Sequence, residues 1–158
     1  MIDKKHVGHS FPLFVSSIEA GRIRLFCKAI GETAPIHLDA EVARAAGYRN
    51  TLAPLTFPTA IAMDNPNPRA IIELVGVDIG WILHGEEHYD YLAPICVGDQ
   101  ITAQMKITDI YDKKGGALEF VVSELAMTNH LNEKVCNVRR SVVVRRPQAA
   151  KAAAGPTS

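Results

Sequence analysis

The sequence has no surplus of either charge: 17 Lys and Arg are matched by 17 Asp and Glu over 158 residues. A balanced surface gives no net field to draw in nucleic acid or anionic lipid, so neither is expected as a partner. No apolar run approaches the roughly 20 residues that cross a bilayer. The stretch Met1 to His6 has none of the apolar character of a secretory signal. Cysteine is scarce, and Cys27, Cys96 and Cys136 are an odd, widely spaced set in apolar surroundings. That excludes a disulfide framework and predicts buried free thiols in a reducing cytoplasm. Metal-ligand spacing occurs once, in His84-Gly85-Glu86-Glu87-His88. Zinc chemistry on that pattern needs a helix, where residues four apart share a face. Gly85, Tyr89, Tyr91 and Pro94 favour a strand instead, and four strand residues span about 13 Å, too far for two ligands of one ion. No metal and no cofactor are expected. His6, His9 and His130 lie in polar or turn sequence and read as solvated.

What is present is a run of helical patterns followed by a run of strands. Phe11 to Val15 reads as an edge strand, kept from a central place by Pro12. Ser16 with Glu19 three residues on has the form of a capping box. Ile18, Ile23, Phe26, Cys27 and Ile30 follow as a helical apolar stripe that Gly31 ends in a left-handed cap. Asp39 caps a second helix to Ala46, stopped by Gly47. Leu55 to Met63 is apolar nearly all round, the mark of a buried helix, and Pro58 sits early in it where a missing amide costs little. Asp64 to Pro68 is a surface loop, and Ile71 to Val77 fits a short helix or an irregular connection equally.

Trp81–Leu92, Asp99–Tyr111, Ala117–Asn129 and Lys134–Arg146 read as long strands. Ile101, Ala103, Met105 and Ile107 alternate with polar residues at the period of a half-buried strand. Asp112 to Gly116 and Asn129 to Glu133 supply hairpin turns. Helices first and an antiparallel meander after them give one α+β domain over residues 1–146. The Ala/Pro/Gly/Ser-rich residues 147–158 are expected to form a disordered tail. Arg139, Arg140, Arg145 and Arg146 fit an edge strand defended by charge.

The chemistry-bearing stretch is Gly31-Glu32-Thr33-Ala34-Pro35-Ile36-His37. Pro35 fixes its own φ and drives Ala34 out of the α region, so the segment is a rigid, non-helical loop. A rigid loop can hold a carboxylate and an imidazole in a set relative geometry, which acid/base chemistry requires. An acid and a histidine in one loop are otherwise commonplace.

The stretch Phe26 to Asp39 resembles the hydratase signature of the MaoC-like dehydratase family, Gly-Asp-x-Asn-Pro-(apolar)-His. Gly31, Pro35, Ile36 and His37 match at identical spacing, while Glu32 stands for the Asp and Ala34 for the Asn. The stretches Ala45 to Tyr48, Ala53-Pro54-Leu55-Thr56-Phe57 and Tyr91-Leu92-Ala93-Pro94-Ile95-Cys96-Val97-Gly98-Asp99 are similar to its amino-terminal, FAS1-like branch, which includes HadA-type subunits. The resemblance runs from about Val7 to Val144. It implies a hot dog fold, a curved antiparallel sheet wrapped around the Leu55–Met63 helix. It further implies interconversion of trans-2-enoyl and (R)-3-hydroxyacyl thioesters of coenzyme A or acyl carrier protein. Glu32 and His37 would be the catalytic pair, Gly31 would open their loop, and an amide of Leu55 or Thr56 would polarise the thioester carbonyl. The family's His-Gly before the buried helix is here Pro54-Leu55. Pairing is implied too, as a homodimer or with a MaoC-like subunit, and the arginines of the last strand become a possible dock for the carrier. An acyl-chain-binding subunit without chemistry, or a hot dog thioesterase, are the alternatives.

Overall fold

The computed structural model describes residues 1–146; the expected tail at 147–158 lies outside the described residues. After a 3-10 turn at Lys4–His6 come a short strand, β1 (Phe14–Ser17), and helix α1 (Ala20–Ile30). Gly31 ends α1 at φ 74°, and the Glu32 amide closes a 2.9 Å bond back to the Cys27 carbonyl, the long-range bond of a Schellman cap. The capping box expected at Ser16 does not form. Ser16 is buried in β1, opposite Ile101 of the sheet, and its hydroxyl bonds the Asp64 carboxylate; Glu19 takes the cap position without a side-chain bond. Pairing with the sheet outweighed a cap worth about 1 kcal/mol. The edge strand consequently starts at Phe14, two residues beyond Pro12.

Helix α2 (Ala40–Ala45) is capped as expected, the Asp39 carboxylate accepting from the Glu41 and Val42 amides. Helix α3 is shorter than its apolar pattern, covering Pro58–Ala62, because Leu55 to Phe57 form a turn rather than a first helical turn. Leu55 is 70% exposed and Met63 is also exposed, so the buried part is Phe57, Pro58, Ile61 and Ala62. Ala70–Val75 resolves the open choice after the loop as a helix, α4.

The strands are β2 (Ile82–Tyr91), β3 (Gln100–Lys113), β4 (Leu118–Asn129) and β5 (Lys134–Arg145), within two residues of the pattern at each end. With β1 they form one antiparallel sheet in the order β1-β3-β4-β5-β2. Bulges between His84 and Glu86, Ile107 and Asp109, and Met127 and Thr128 bend it. The inner face brings Ile101, Ala103, Leu125, Met127, Cys136 and Val138 against Phe57, Ile61 and Ala62 of the α3 segment and Ile23 and Cys27 of α1. An antiparallel sheet curved around a short buried helix is a hot dog fold. All three cysteines are free and buried in it.

One expectation about charged residues changes. His84 and His88 do lie exposed along strand β2, but β5 is no edge: it sits between β4 and β2. Two of the four arginines at and just after it are therefore spent internally. Arg140 pairs with Glu87 and Arg146 with the buried Glu119, while Arg139 and Arg145 stay exposed.

Glu87 ties three elements together. Its carboxylate accepts from Arg140 Nε of β5 at 2.7 Å, from the Thr59 hydroxyl of α3 at 2.8 Å and from the Tyr89 hydroxyl at 2.8 Å. Burial raises its pKa, but Arg140, Thr59 and Tyr89 together outweigh that and hold it below its ordinary 4.5. A depressed folded-state value means stabilisation that is complete above 4.5 and lost as pH falls through the lower folded value. The urea midpoint is expected to fall on acidification below about pH 4.5, and to fall less steeply in Glu87→Gln, whose amide does not titrate there. Parallel pH profiles for the two proteins would show that Glu87 is not a source of the acid sensitivity.

Candidate active site

The Glu32–His37 loop is rigid at both ends. The Schellman bond fixes Glu32 at the end of α1, and Pro35–His37 form a single 3-10 turn whose Leu38 amide returns to the Pro35 carbonyl at 3.0 Å. Glu32 curls back so that its Oε1 accepts the Ala34 amide at 2.7 Å, and its second oxygen meets no donor among the described residues. The longer Glu side chain thus makes a contact to the loop's own backbone at the position where Ala34 offers no side-chain amide. That bond, assisted by the Thr33 amide and by His37 nearby, holds the Glu32 carboxyl below its ordinary value against a small burial effect.

His37 is half-buried, and its Nδ1 lies 2.8 Å from the Leu52 carbonyl oxygen. A carbonyl only accepts, so Nδ1 carries the proton and donates. Nε2 of the neutral ring is then left with its lone pair, the state a general base needs. The Leu52 amide returns a 3.1 Å bond to the Ile36 carbonyl, so the loop and Leu52 are stitched in both directions.

Leu52 in turn belongs to a held segment. Its neighbours bond the β2–β3 connection, Ala53 N–H to the Ile95 carbonyl at 2.8 Å and Val97 N–H to the Thr51 carbonyl at 2.9 Å. Asp99, 1% exposed, clamps the start of that segment through a two-point ion pair with Arg49 at 2.8 and 3.2 Å, and also accepts the Cys96 amide. Three and four residues beyond Leu52 come Leu55 and Thr56, whose amides meet no acceptor among the described residues. The Leu55 carbonyl accepts the Tyr91 hydroxyl at 2.5 Å. An open groove of about 310 Å³ runs beside them, lined by Tyr48, Leu52, Leu55, Tyr91, Leu92 and Pro94 among others.

The structure therefore gathers Gly31, Glu32 and His37 on one loop and joins that loop, through Leu52, to the segment bearing Leu55 and Thr56. The amides of that segment sit in a turn, since the five-residue α3 starts only at Pro58 and supplies no extended dipole behind them. Sequence reasoning missed Leu52, Arg49 and the Tyr91 hydroxyl. Leu52 acts through its carbonyl, which leaves no residue-type signal. Asp99 read as the start of a strand, and Tyr91 as one aromatic of another. Among the described residues no cluster of His, Cys, Asp or Glu could hold a metal ion, and no helix is long and apolar enough to cross a membrane.

The sheet is thus curved around its buried helix, with the Glu32–His37 loop leaning on the approach to that helix through Leu52. The chain belongs to the FAS1-like dehydratase-domain family, whose model matches residues 5–138. Among its relatives is a UPF0336 protein of Clavibacter michiganensis, 34% identical over 124 residues, 78% of this chain and 82% of the relative. A solved MaoC-like dehydratase superposes with a TM-score of 0.81 at 26% identity over 90% of this chain; the match spans 43% of that longer protein. The HadBC (3R)-hydroxyacyl-ACP dehydratase complex of Mycobacterium tuberculosis superposes at 0.73 and 25% identity, over 87% of this chain and 96% of the other.

Proposed function

We propose that the chain is a hydratase/dehydratase interconverting trans-2-enoyl and (R)-3-hydroxyacyl thioesters, with Glu32 and His37 as its acid/base pair. The observation that carries this reading is the 2.8 Å bond from His37 Nδ1 to Leu52 O, which leaves Nε2 as an acceptor on the same loop that bears Glu32. In hydration, Nε2 and the free Glu32 oxygen accept the two hydrogens of a water, turning its lone pair toward Cβ. The C–O bond forms at Cβ as the Cα=Cβ π pair moves toward the thioester oxygen. The proton lost by the water reaches Cα through the pair, so that H and OH have added across the double bond. Charge on the thioester oxygen is met by the unpaired amide of Leu55 or Thr56. No cofactor enters this sequence.

Purified protein incubated with trans-2-enoyl-CoA of several chain lengths is expected to consume the enoyl absorbance and yield the (R)-3-hydroxyacyl product. Free coenzyme A released from saturated acyl-CoA would instead mark a thioesterase. Acyl-CoA binding without either reaction would mark a chain-binding subunit whose partner does the chemistry.

The partner is read from the sheet. β2 ends the strand order with one side unpaired, and Trp81, Leu83, Tyr91 and Leu92 are exposed along and beside it. A ten-residue bare edge with apolar flanks is a liability for a free monomer. The chain is expected to pair through β2 with a second copy or a MaoC-like subunit, continuing the sheet. Light scattering of the chain alone should give at least a dimer; a clean monomer would leave only the heteromeric form.

A further inference from the structure

We propose that Tyr91 is a positioning residue: by holding the Leu55 carbonyl it presets the Thr56 N–H as the donor to the thioester oxygen. The inference rests on the hydratase reading above and names what orients its oxyanion donor.

The argument starts from the peptide bond. The Leu55 carbonyl and the Thr56 N–H belong to one planar trans unit and point in opposite directions, so whatever fixes the one fixes the other. The turn around them leaves this particular unit untied. Phe57 N–H bonds the Pro54 carbonyl at 2.9 Å, Thr59 N–H bonds Thr56 O at 3.2 Å, and Ala60 and Ile61 N–H both bond Phe57 O. The Leu55 carbonyl is passed over by this ladder, and the exposed Leu55 side chain gives no anchor. Its partner is the Tyr91 hydroxyl at 2.5 Å, brought from the last residue of β2 across 36 positions of sequence.

The bond does more than hold direction. A donor on a carbonyl draws charge through the amide and makes the opposite N–H a stronger donor. The hydroxyl remains protonated for this task, since burial first, then the neighbouring Cys136 and Tyr89, raise its pKa above the ordinary 10.0. Tyr91 also lines the groove together with Leu55 and with Leu52, the residue whose carbonyl holds His37.

Tyr91→Phe removes the hydroxyl and keeps the ring. For hydration of a trans-2-enoyl-CoA, kcat is expected to fall about tenfold with KM within about twofold, because the loss is felt where charge develops on the oxygen. The urea midpoint should stay close to wild type. In NMR spectra, the Leu55 carbonyl carbon and the Thr56 amide should show the largest shifts in the chain, against small shifts elsewhere. Unchanged kcat, or a rise in KM alone, would overturn the proposal and leave Tyr91 a groove-lining ring. Loss of the alkaline limb of the rate profile in the variant would also overturn it, by making Tyr91 a proton donor in its own right. Shifts spread over the whole chain would mark a general structural role and overturn it likewise. A wild-type chain that hydrates no enoyl thioester fails the reaction reading, while the Leu55 and Thr56 signals still decide whether Tyr91 sets that peptide.

Discussion

Replacing His37 with alanine is expected to lower enoyl-thioester hydration by about two orders of magnitude or more, with the fold intact. The side chain is half-buried, and its one hydrogen bond goes to the Leu52 carbonyl. Removing it leaves the loop's own backbone bonds in place, from Glu32 to Cys27 and from Leu38 to Pro35. Glu32→Ala should cost a comparable factor, and the double variant little more, since in the proposed mechanism the two groups act on one water. The pH profile supplies a second readout. The Ala34 amide keeps the Glu32 carboxyl below its ordinary 4.5, so the acidic limb that Glu32 contributes is expected at lower pH than a free glutamate would give. Glu32→Gln should be nearly inactive at every pH, because an amide cannot accept the water's proton. Hydration that survives His37→Ala would refute the assignment of the pair, whatever the fold.

The parts of the molecule legible in the sequence were those fixed by local chemistry. Gly31 as a left-handed cap, Asp39 as an N-cap and the two hairpin turns each follow from what a single residue type permits. The strand alternation at Ile101, Ala103 and Ile107 survives because one face of the sheet is a core. Misreadings arose where a distant partner decided the matter. Ser16 has the residue type of a cap but lies opposite Ile101, and the hydrogen bonds of a strand took precedence. The arginines in and after β5 looked like edge charges because strand order is not written in any one strand; β2 returns after four helices to pair alongside β5. The site divides the same way. Glu32 and His37 are close in sequence and stand out at once. The carbonyl that fixes the histidine is 15 residues away, and the hydroxyl behind Leu55 is 36 away, so neither had a sequence signal.

Phe57→Ala is expected to be the most destabilising single truncation near the site, at about 3–5 kcal/mol. The ring is 1% exposed and meets Phe26 of α1 edge to face at 5.2 Å between centroids. The Arg22 guanidinium lies 5.7 Å from the same ring, and Arg22 is itself paired with Asp64 at 2.8 Å. Asp64 also takes the Ser16 hydroxyl of β1, so α1, α3 and β1 meet around one aromatic side chain. A loss of that size is a large share of the 5–15 kcal/mol that holds a domain of this kind together. Urea unfolding should therefore show a much lower midpoint or no folded baseline. Phe57→Leu, which keeps most of the apolar volume, should stay folded at about 1 kcal/mol below wild type. Leu25→Ala, on the exposed side of α1, should change stability by less than about 0.5 kcal/mol. If Phe57→Ala cost no more than Leu25→Ala, the core would not be centred on the α3 segment. Because Phe57 directly follows Thr56, the leucine variant carries a further consequence: a softened anchor loosens the turn that aims the Thr56 amide. Its kcat should then fall by a larger factor than the fraction of unfolded chain can explain, and a rate that tracks the folded fraction alone would separate core packing from the aim of that amide.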